Sequence, residues 1–185
     1  MNGEAERDVS FDGATARLRG RLRPPMGDAW GALVMSHGRS EDMGTPLLAA
    51  LGQRAADLGL QFHAELEESA LPIRIAEMQL KQLLTNLLDN AIQFTAAGRA
   101  IRFTTRRKEN VVEFEIRDEG TGIEPELLPK IFDRFFTTAN PRTGNRGTGL
   151  GLAIAKSIAT ASGGTISVDS GLGRGSIFVV RLPAA

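Results

Sequence analysis

The amino-acid sequence predicts an α/β (α+β) sandwich, a mostly antiparallel mixed sheet with helices packed on one face. Three observations carry this reading. Apolar residues recur at helical spacing in some stretches and alternate singly in others, and the two kinds of stretch interleave as α-β-α-β-β-α-α-β-β. Short turns containing Gly, Asn or Lys join the later strands into hairpins. All of this pattern falls after residue 45. Residues 1–45 scatter Gly, Arg, Pro and Asp around one apolar island, Trp30–Met35, and are read as an irregular leader or linker before a single domain, 46–185.

Each element has its own warrant. Leu47, Leu48, Leu51, Ala55 and Leu58 share a helix face that stops at Gly59, a residue suited to helix ends. Leu60, Phe62, Ala64 and Leu66 then alternate with Gln61, His63, Glu65 and Glu67, the period of a half-buried strand. A second helix covers about Glu77–Phe94, with Leu80, Leu84, Leu87, Leu88 and Ala91 on one side. Ala100–Arg106 and Val111–Asp118 alternate around a turn at Lys108-Glu109-Asn110. Pro125–Phe135 reads as a short helix, Thr137–Gly147 as a polar loop, and Thr148–Ser162 as a helix stopped by Gly163-Gly164. Thr165–Asp169 and Gly175–Leu182 close the chain as a hairpin through Gly171-Leu172-Gly173.

Composition removes several functions. The 185 residues carry 22 basic and 22 acidic side chains, so no charge excess calls for a nucleic acid or an anionic membrane. The absence of cysteine excludes a disulfide framework, a thiolate metal site and a cysteine nucleophile, and two histidines are too few for a histidine-rich metal centre. No apolar run reaches the ~18–20 residues of a membrane span, and the polar N-terminus is unlike a secretory signal. A soluble, cytoplasmic, monomeric domain is expected.

Three stretches have the residue types that chemistry needs. The second helix carries Gln79, Gln82, Asn86, Asn90 and Gln93 opposite its leucines, amides where Lys and Glu are usual. Asn86 and Asn90 are one turn apart, so their oxygens are neighbours and suit a hard cation such as magnesium; taken alone they suit an ordinary polar surface equally well. In Val111–Asp118 the apolar face ends in Asp118, and an inward carboxylate needs a partner. Gly120 and Gly122 follow, so the exocyclic amine of a base such as adenine can reach Asp118, although Asp-x-Gly-x-Gly by itself is also a plain turn. Arg146-Gly147-Thr148-Gly149-Leu150-Gly151-Leu152 opens a helix, whose free N–H groups and positive dipole end favour phosphate. It lacks the Gly-Lys-Ser/Thr of a Walker loop and the third glycine of a dinucleotide fingerprint. Arg134, Arg142 and Arg146 are nearby cations, each also readable as an ordinary loop arginine.

Together, Gln82–Ala91, Asp118–Ile123, Ile131–Phe136 and Gly147–Ile154 resemble, in order and spacing, the N, first glycine, F and second glycine boxes of sensor histidine kinases. The likeness covers about Pro46–Leu182, and the family shares the Bergerat ATP-binding fold with DNA gyrase and mismatch-repair ATPases. It implies Mg-ATP as the ligand, with Asn90 and Asn86 on the metal, Asp118 on adenine, and Gly120 and Gly122 shaping its pocket. It implies that Thr137–Gly147 is a mobile lid, that Gly147, Gly149 and Gly151 cradle phosphates, and that Arg134 or the lid's Arg142 or Arg146 meets the γ-phosphate. Asn86 and Arg134 are thereby the catalytic candidates, and the boxes bring Ile123, Phe132, Thr148 and Leu150 into the nucleotide-binding set. The implied partners are a histidine-containing dimerisation domain and a response regulator.

Two departures from the family pattern stand out. Gln93 occupies a place where many members have Lys or Arg near the phosphates, and where gyrase-type ATPases have a water-activating glutamate this sequence has Asn86, which is no base and favours phosphoryl transfer over hydrolysis. Ser36-His37 and Thr45-Pro46-Leu47 match pieces of the phospho-acceptor motif, but too few residues separate His37 from Asn90 for two dimerisation helices as well as the first helix and strand. His37 is therefore read as a leader residue, and His63 as a surface residue of its strand. The expected function is a histidine kinase catalytic domain acting on a bundle not encoded in full here; the alternatives are a nucleotide-dependent partner-binding module of the anti-sigma-kinase or pseudokinase type and a bare ATPase.

Overall fold

A computed structural model describes residues 7–11, 14–19, 32–33, 44–67, 71–73, 75–138 and 147–184. The expected order appears after residue 43. Helix α1 (Gly44–Asp57) leads into β4 (Gln61–Glu65), the short β5 (Leu71–Pro72) and α2 (Glu77–Phe94). Strands β6 (Ala100–Lys108) and β7 (Val111–Asp118) follow, then α3 (Gly151–Ala161), β8 (Thr165–Gly171) and β9 (Gly175–Pro183). Residues 1–45 are not irregular throughout: β1 (Arg7–Phe11), β2 (Ala14–Arg19) and β3 (Ala32–Leu33) lie within them.

Among the described residues the main sheet has seven strands in the order β1-β2-β4-β6-β7-β9-β8, and β3 pairs with β5. The β2–β4 and β4–β6 pairs are parallel and the others antiparallel, the mixed, mostly antiparallel sheet the sequence implies. Alternation assigns the two faces. Val112, Phe114 and Ile116 of β7 are fully buried in one cluster with Leu48 and Leu51 of α1, Leu84, Leu87 and Leu88 of α2, and Ala155 and Ala159 of α3. The opposite face of β7 carries Glu113, whose carboxylate is buried yet bonded by Lys108 Nζ at 2.7 Å and Arg181 Nε at 2.8 Å. Burial raises its pKa, but these two cations hold it below the ordinary carboxylate value.

Helix α2 positions the site. It buries Leu80, Leu83, Leu84, Leu87, Leu88, Ala91 and Ile92. Each large side chain so buried contributes roughly 1.5–3 kcal/mol, so the helix cannot rotate and its amide stripe has a fixed direction. Its start is weakly secured: Ala76 at the N-cap is extended and supplies no side-chain hydrogen bond. Thr95 closes the other end through its hydroxyl, 2.7 Å from the Ala91 carbonyl.

Two expected helices are altered. Pro125–Phe135 forms turns around one 3₁₀ segment, Leu128–Lys130, because Pro125 and Pro129 cannot donate the bonds an α-helix needs. Helix α3 begins at Gly151 rather than Thr148, since Gly149 has φ +69, outside helical geometry.

Candidate functional site

The amide stripe, the end of β7, the start of α3 and the β8–β9 turn surround one cavity of about 370 Å³, within the roughly 300–1,000 Å³ of small-molecule pockets. Asn86, Asn90 and Gln93 line it from α2 and Asp118 from β7. Gly122 and Ile123 line it after β7, and Gly147, Thr148, Gly149 and Gly151 ahead of and within α3. Ile131 and Phe136 line it as well, so all four expected boxes meet around one space.

The base end is built around Asp118, which is 4% exposed. The Gly120 amide donates to its Oδ1 at 2.9 Å and the Ser176 amide at 3.2 Å. The Ser176 side chain also hydrogen-bonds this carboxylate, which lines the cavity as an acceptor for a donor there. Burial pushes the Asp118 pKa above its ordinary value, and the bonds from Gly120 and Ser176 pull it part of the way back. Phe94, Leu127, Ile131 and Leu172 add apolar wall, a surface suited to a flat ring.

The glycines after Asp118 serve the fold more directly than the ligand. A Cβ on Gly122, at φ +71, would lie 2.0 Å from the Gly171 carbonyl oxygen, so the first glycine box is pressed backbone to backbone against the β8–β9 turn. The Gly173 amide bonds the Thr121 carbonyl at 2.7 Å across the same contact. Gly120 does not line the cavity; a Cβ there would meet the Phe94 carbonyl oxygen at 2.6 Å. Gly149 is held likewise: its Cβ would fall 2.5 Å from the Phe135 carbonyl carbon, and the Phe135 amide donates to the Gly149 carbonyl at 2.9 Å. Phe135 itself takes φ +66, a costly conformation for a bulky residue, and is 73% exposed. Thus the F box locks the second glycine box in place.

The phosphate end is looser. Asn86 Oδ1 accepts from Gln82 Nε2 at 3.2 Å, while Asn86 Nδ2 is buried without a hydrogen-bond partner. Gly151 packs against this amide, its Cβ position 3.7 Å from Oδ1. Oxygen donors on α2 fit magnesium, a hard cation, and an orphaned N–H beside them fits an anion. Among the described residues, a Cβ on Gly147 would meet nothing nearer than 4.0 Å, the distance to Gln93 Nε2 and Thr137 Oγ1.

Other expected residues stand back. Phe132 meets Phe178 edge-on at 6.5 Å, with the Lys156 ammonium 5.4 Å from its ring centre, and so anchors the F box to the core without lining the cavity. Leu150 and Arg134 also lie outside the lining, and Arg134 is exposed. Arg142, Arg146, His37 and most of Thr137–Gly147 lie outside the described residues. Sequence reasoning passed over Asp89, Phe94, Thr121, Phe136, Leu172 and Ser176 as site residues, all of which line the cavity. Asp89, Thr121 and Phe136 fall within the boxes, and the glycine-dense run Gly171–Ser176 marks Leu172 and Ser176.

A family profile described as histidine kinase-, DNA gyrase B- and HSP90-like ATPase matches residues 75–185. The chain belongs to that family. The match begins just before α2 and includes every element around the cavity. Among relatives, the sensor protein SrrB of Staphylococcus aureus is 46% identical over 106 residues, 57% of this chain but 18% of SrrB. The chain thus spans less than a fifth of that curated relative. Among solved structures, the mycobacterial sensor histidine kinase MprB is 26% identical, with a TM-score of 0.65 over 77% of this chain and 92% of its own. Full-length ShkA in complex with AMPPNP is 27% identical, with a TM-score of 0.66 over 85% of this chain and 32% of its own. The histidine-kinase catalytic fold expected from the four boxes is therefore present. Among the described residues no helix is long and apolar enough to cross a membrane.

Proposed function

We propose that this chain is the ATP-binding catalytic part of a sensor histidine kinase and transfers the γ-phosphoryl group of Mg-ATP to a histidine on a separate dimerisation bundle, which then serves a response regulator. The observation that carries it is the convergence, around one cavity, of a buried carboxylate with an apolar slot at one end and an amide stripe facing a helix N-terminus at the other. Asp118 accepts from the adenine amine, while Leu172, Ile123 and Phe94 enclose the ring. Asn90 is the metal residue, and the free Nδ2 of Asn86 donates to a phosphate oxygen. The N–H groups near Gly149 and Gly151 favour the phosphates electrostatically. Transfer of the γ-phosphoryl group from the leaving ADP oxygen to an imidazole nitrogen depends chiefly on positioning and charge, which this arrangement supplies without a local base. We place the domain at 46–185 and the protein's ATP-binding side in the cytoplasm, with Arg134, Arg142 or Arg146 as the γ-phosphate cation.

The relatives' names favour transfer over a non-catalytic binding module. The test uses ATP labelled at the γ-phosphate, with and without the dimerisation bundle of SrrB. Acid-labile label on the bundle histidine is expected. Tight ATP binding with no transfer would replace the reading with a partner-binding module, and steady phosphate release without transfer would replace it with an ATPase.

A further inference from the structure

The stripe of α2 facing the cavity contains a fourth polar residue. Asp89 lies three positions after Asn86 and next to Asn90, and it lines the same space. Side chains at i, i+3 and i+4 share a helix face, so the two amides flank this carboxylate. Its charge is met by Arg54 of α1, whose Nη1 bonds Asp89 Oδ1. Both groups are partly open, with side-chain exposures of 56% for Arg54 and 40% for Asp89, so the pair can part without stranding a buried charge.

A carboxylate beside a polyphosphate opposes binding unless a cation lies between them. Here the amides cannot provide the charge a divalent cation seeks. Asn86 Oδ1 already takes a hydrogen bond from Gln82, and its Nδ2 points a donor, not an oxygen, at whatever comes near. Magnesium is ordinarily held by one or two carboxylates together with phosphate oxygens. Three carboxylates line the cavity: Asp118, Glu124 and Asp89. Asp118 belongs to the base end with two amides on Oδ1, and Glu124 follows the first glycine box; only Asp89 sits beside the asparagines. We propose that Asp89 is the charged oxygen donor of the cation site, and that Arg54 holds its carboxylate until the metal-nucleotide complex arrives. The inference rests on the Mg-ATP reading above and assigns to Asp89 a role that Asn86 cannot fill in this hydrogen-bonded arrangement. Arg54 also ties α1 to the metal end, so displacing it links cation binding to the helix that follows residues 1–43.

The test is calorimetric titration of the 185-residue chain with ATP, once in magnesium chloride and once in EDTA, alongside a thermal unfolding control. In the wild type the affinity ratio between the two conditions measures the metal's contribution. Asp89→Asn is expected to lower that ratio about tenfold, as losses around metal ligands do, with affinity in EDTA unchanged or increased. Arg54→Ala is expected to act oppositely, lowering affinity in EDTA and keeping or raising the ratio. An unchanged ratio in Asp89→Asn, or an equal loss in both conditions, overturns the assignment and leaves a merely structural ion pair. A wild type whose ATP affinity ignores magnesium sinks the Mg-ATP reading itself, and this inference with it; a wild type that responds to magnesium while Asp89→Asn responds equally sinks only the inference.

Discussion

The two ends of the cavity are built differently. At the base end, backbone meets backbone: Gly122 against Gly171, Gly120 against Phe94, and two amides on one oxygen of Asp118. At the phosphate end the groups are side chains of one helix, an orphaned Asn86 amide, an exposed ion pair at Asp89 and, among the described residues, open space around Gly147. The base end is thus preorganised by the fold and has little freedom to adapt. The phosphate end has its direction fixed by the leucines of α2, but its hydrogen bonds are unfinished without a ligand.

Substitutions can break this contrast. The largest effect is expected at the rigid end: Gly122→Ala places a methyl 2.0 Å from a carbonyl oxygen at φ +71 and should cost roughly 3 kcal/mol or more of stability. Gly147→Ala, with nothing among the described residues within 4 Å except contacts at that limit, should stay within about 0.5 kcal/mol. Thermal unfolding of the two variants side by side decides the matter; equal losses would erase the distinction.

Asp118→Asn comes next. Losing a hydrogen bond to a charged acceptor costs about 1.5–3 kcal/mol, so ATP affinity should fall roughly 10- to 100-fold, measured by calorimetry. Stability should not fall with it at neutral pH. Because burial raises the folded-state pKa of Asp118 above its ordinary value of 3.8, the folded chain holds this proton more tightly than the unfolded one. Its stabilising contribution is then full below the unfolded pKa and is lost as pH rises through the folded value. At neutral pH the buried charge is a cost that asparagine removes. ATP affinity of the wild type should weaken on acidification toward the raised pKa, and that limb should vanish in Asp118→Asn; a shared limb would assign it to another group.

Asn90→Ala should remove about tenfold or more of magnesium-dependent ATP affinity while leaving the unfolding midpoint nearly unchanged, because the side chain is partly exposed and off the leucine face. A modest gain is expected outside the cavity. Ala76→Asp supplies the missing cap of α2 and should add about 1 kcal/mol of stability with no change in nucleotide affinity. A change in affinity there would mean that the end of α2 and the cavity are coupled.

Much of this arrangement was legible in the sequence because period and chemistry agreed. The alternation that ends in Asp118 matches the carboxylate's depth, and the amides opposite the leucines match one wall of the cavity. What was hidden depended on contacts distant in sequence. Nothing local distinguishes a glycine that admits a ligand from one that admits another backbone: Gly122 lines the cavity and also packs on Gly171, whereas Gly120, expected beside it, packs on the Phe94 carbonyl and lies outside the lining. Ser176 joins the site through its amide and its hydroxyl, contacts made across 58 residues of chain that no local pattern announces. Pro125–Phe135 had helical spacing of apolar residues, but two prolines outweighed it. The strands within residues 1–45 had too little periodicity to announce themselves, since β2 is defined by its partners, β1 over five positions and β4 over three, rather than by its own pattern.

The position of β8 at the margin of the main sheet bears on how the molecule behaves in crowded solution. An unpaired margin is a template on which another chain can add a strand. Here it is seven residues long, its outward positions Thr165, Ser167 and Asp169 are exposed and polar, and it ends in Gly171. A short, hydrophilic border with a carboxylate gives an incoming strand little apolar surface to cover and a charge to bury. Colloidal self-adhesion is discouraged along the side of the sheet beside the nucleotide cavity, and an intruding chain does not disturb the Gly122–Gly171 contact on which the base end depends.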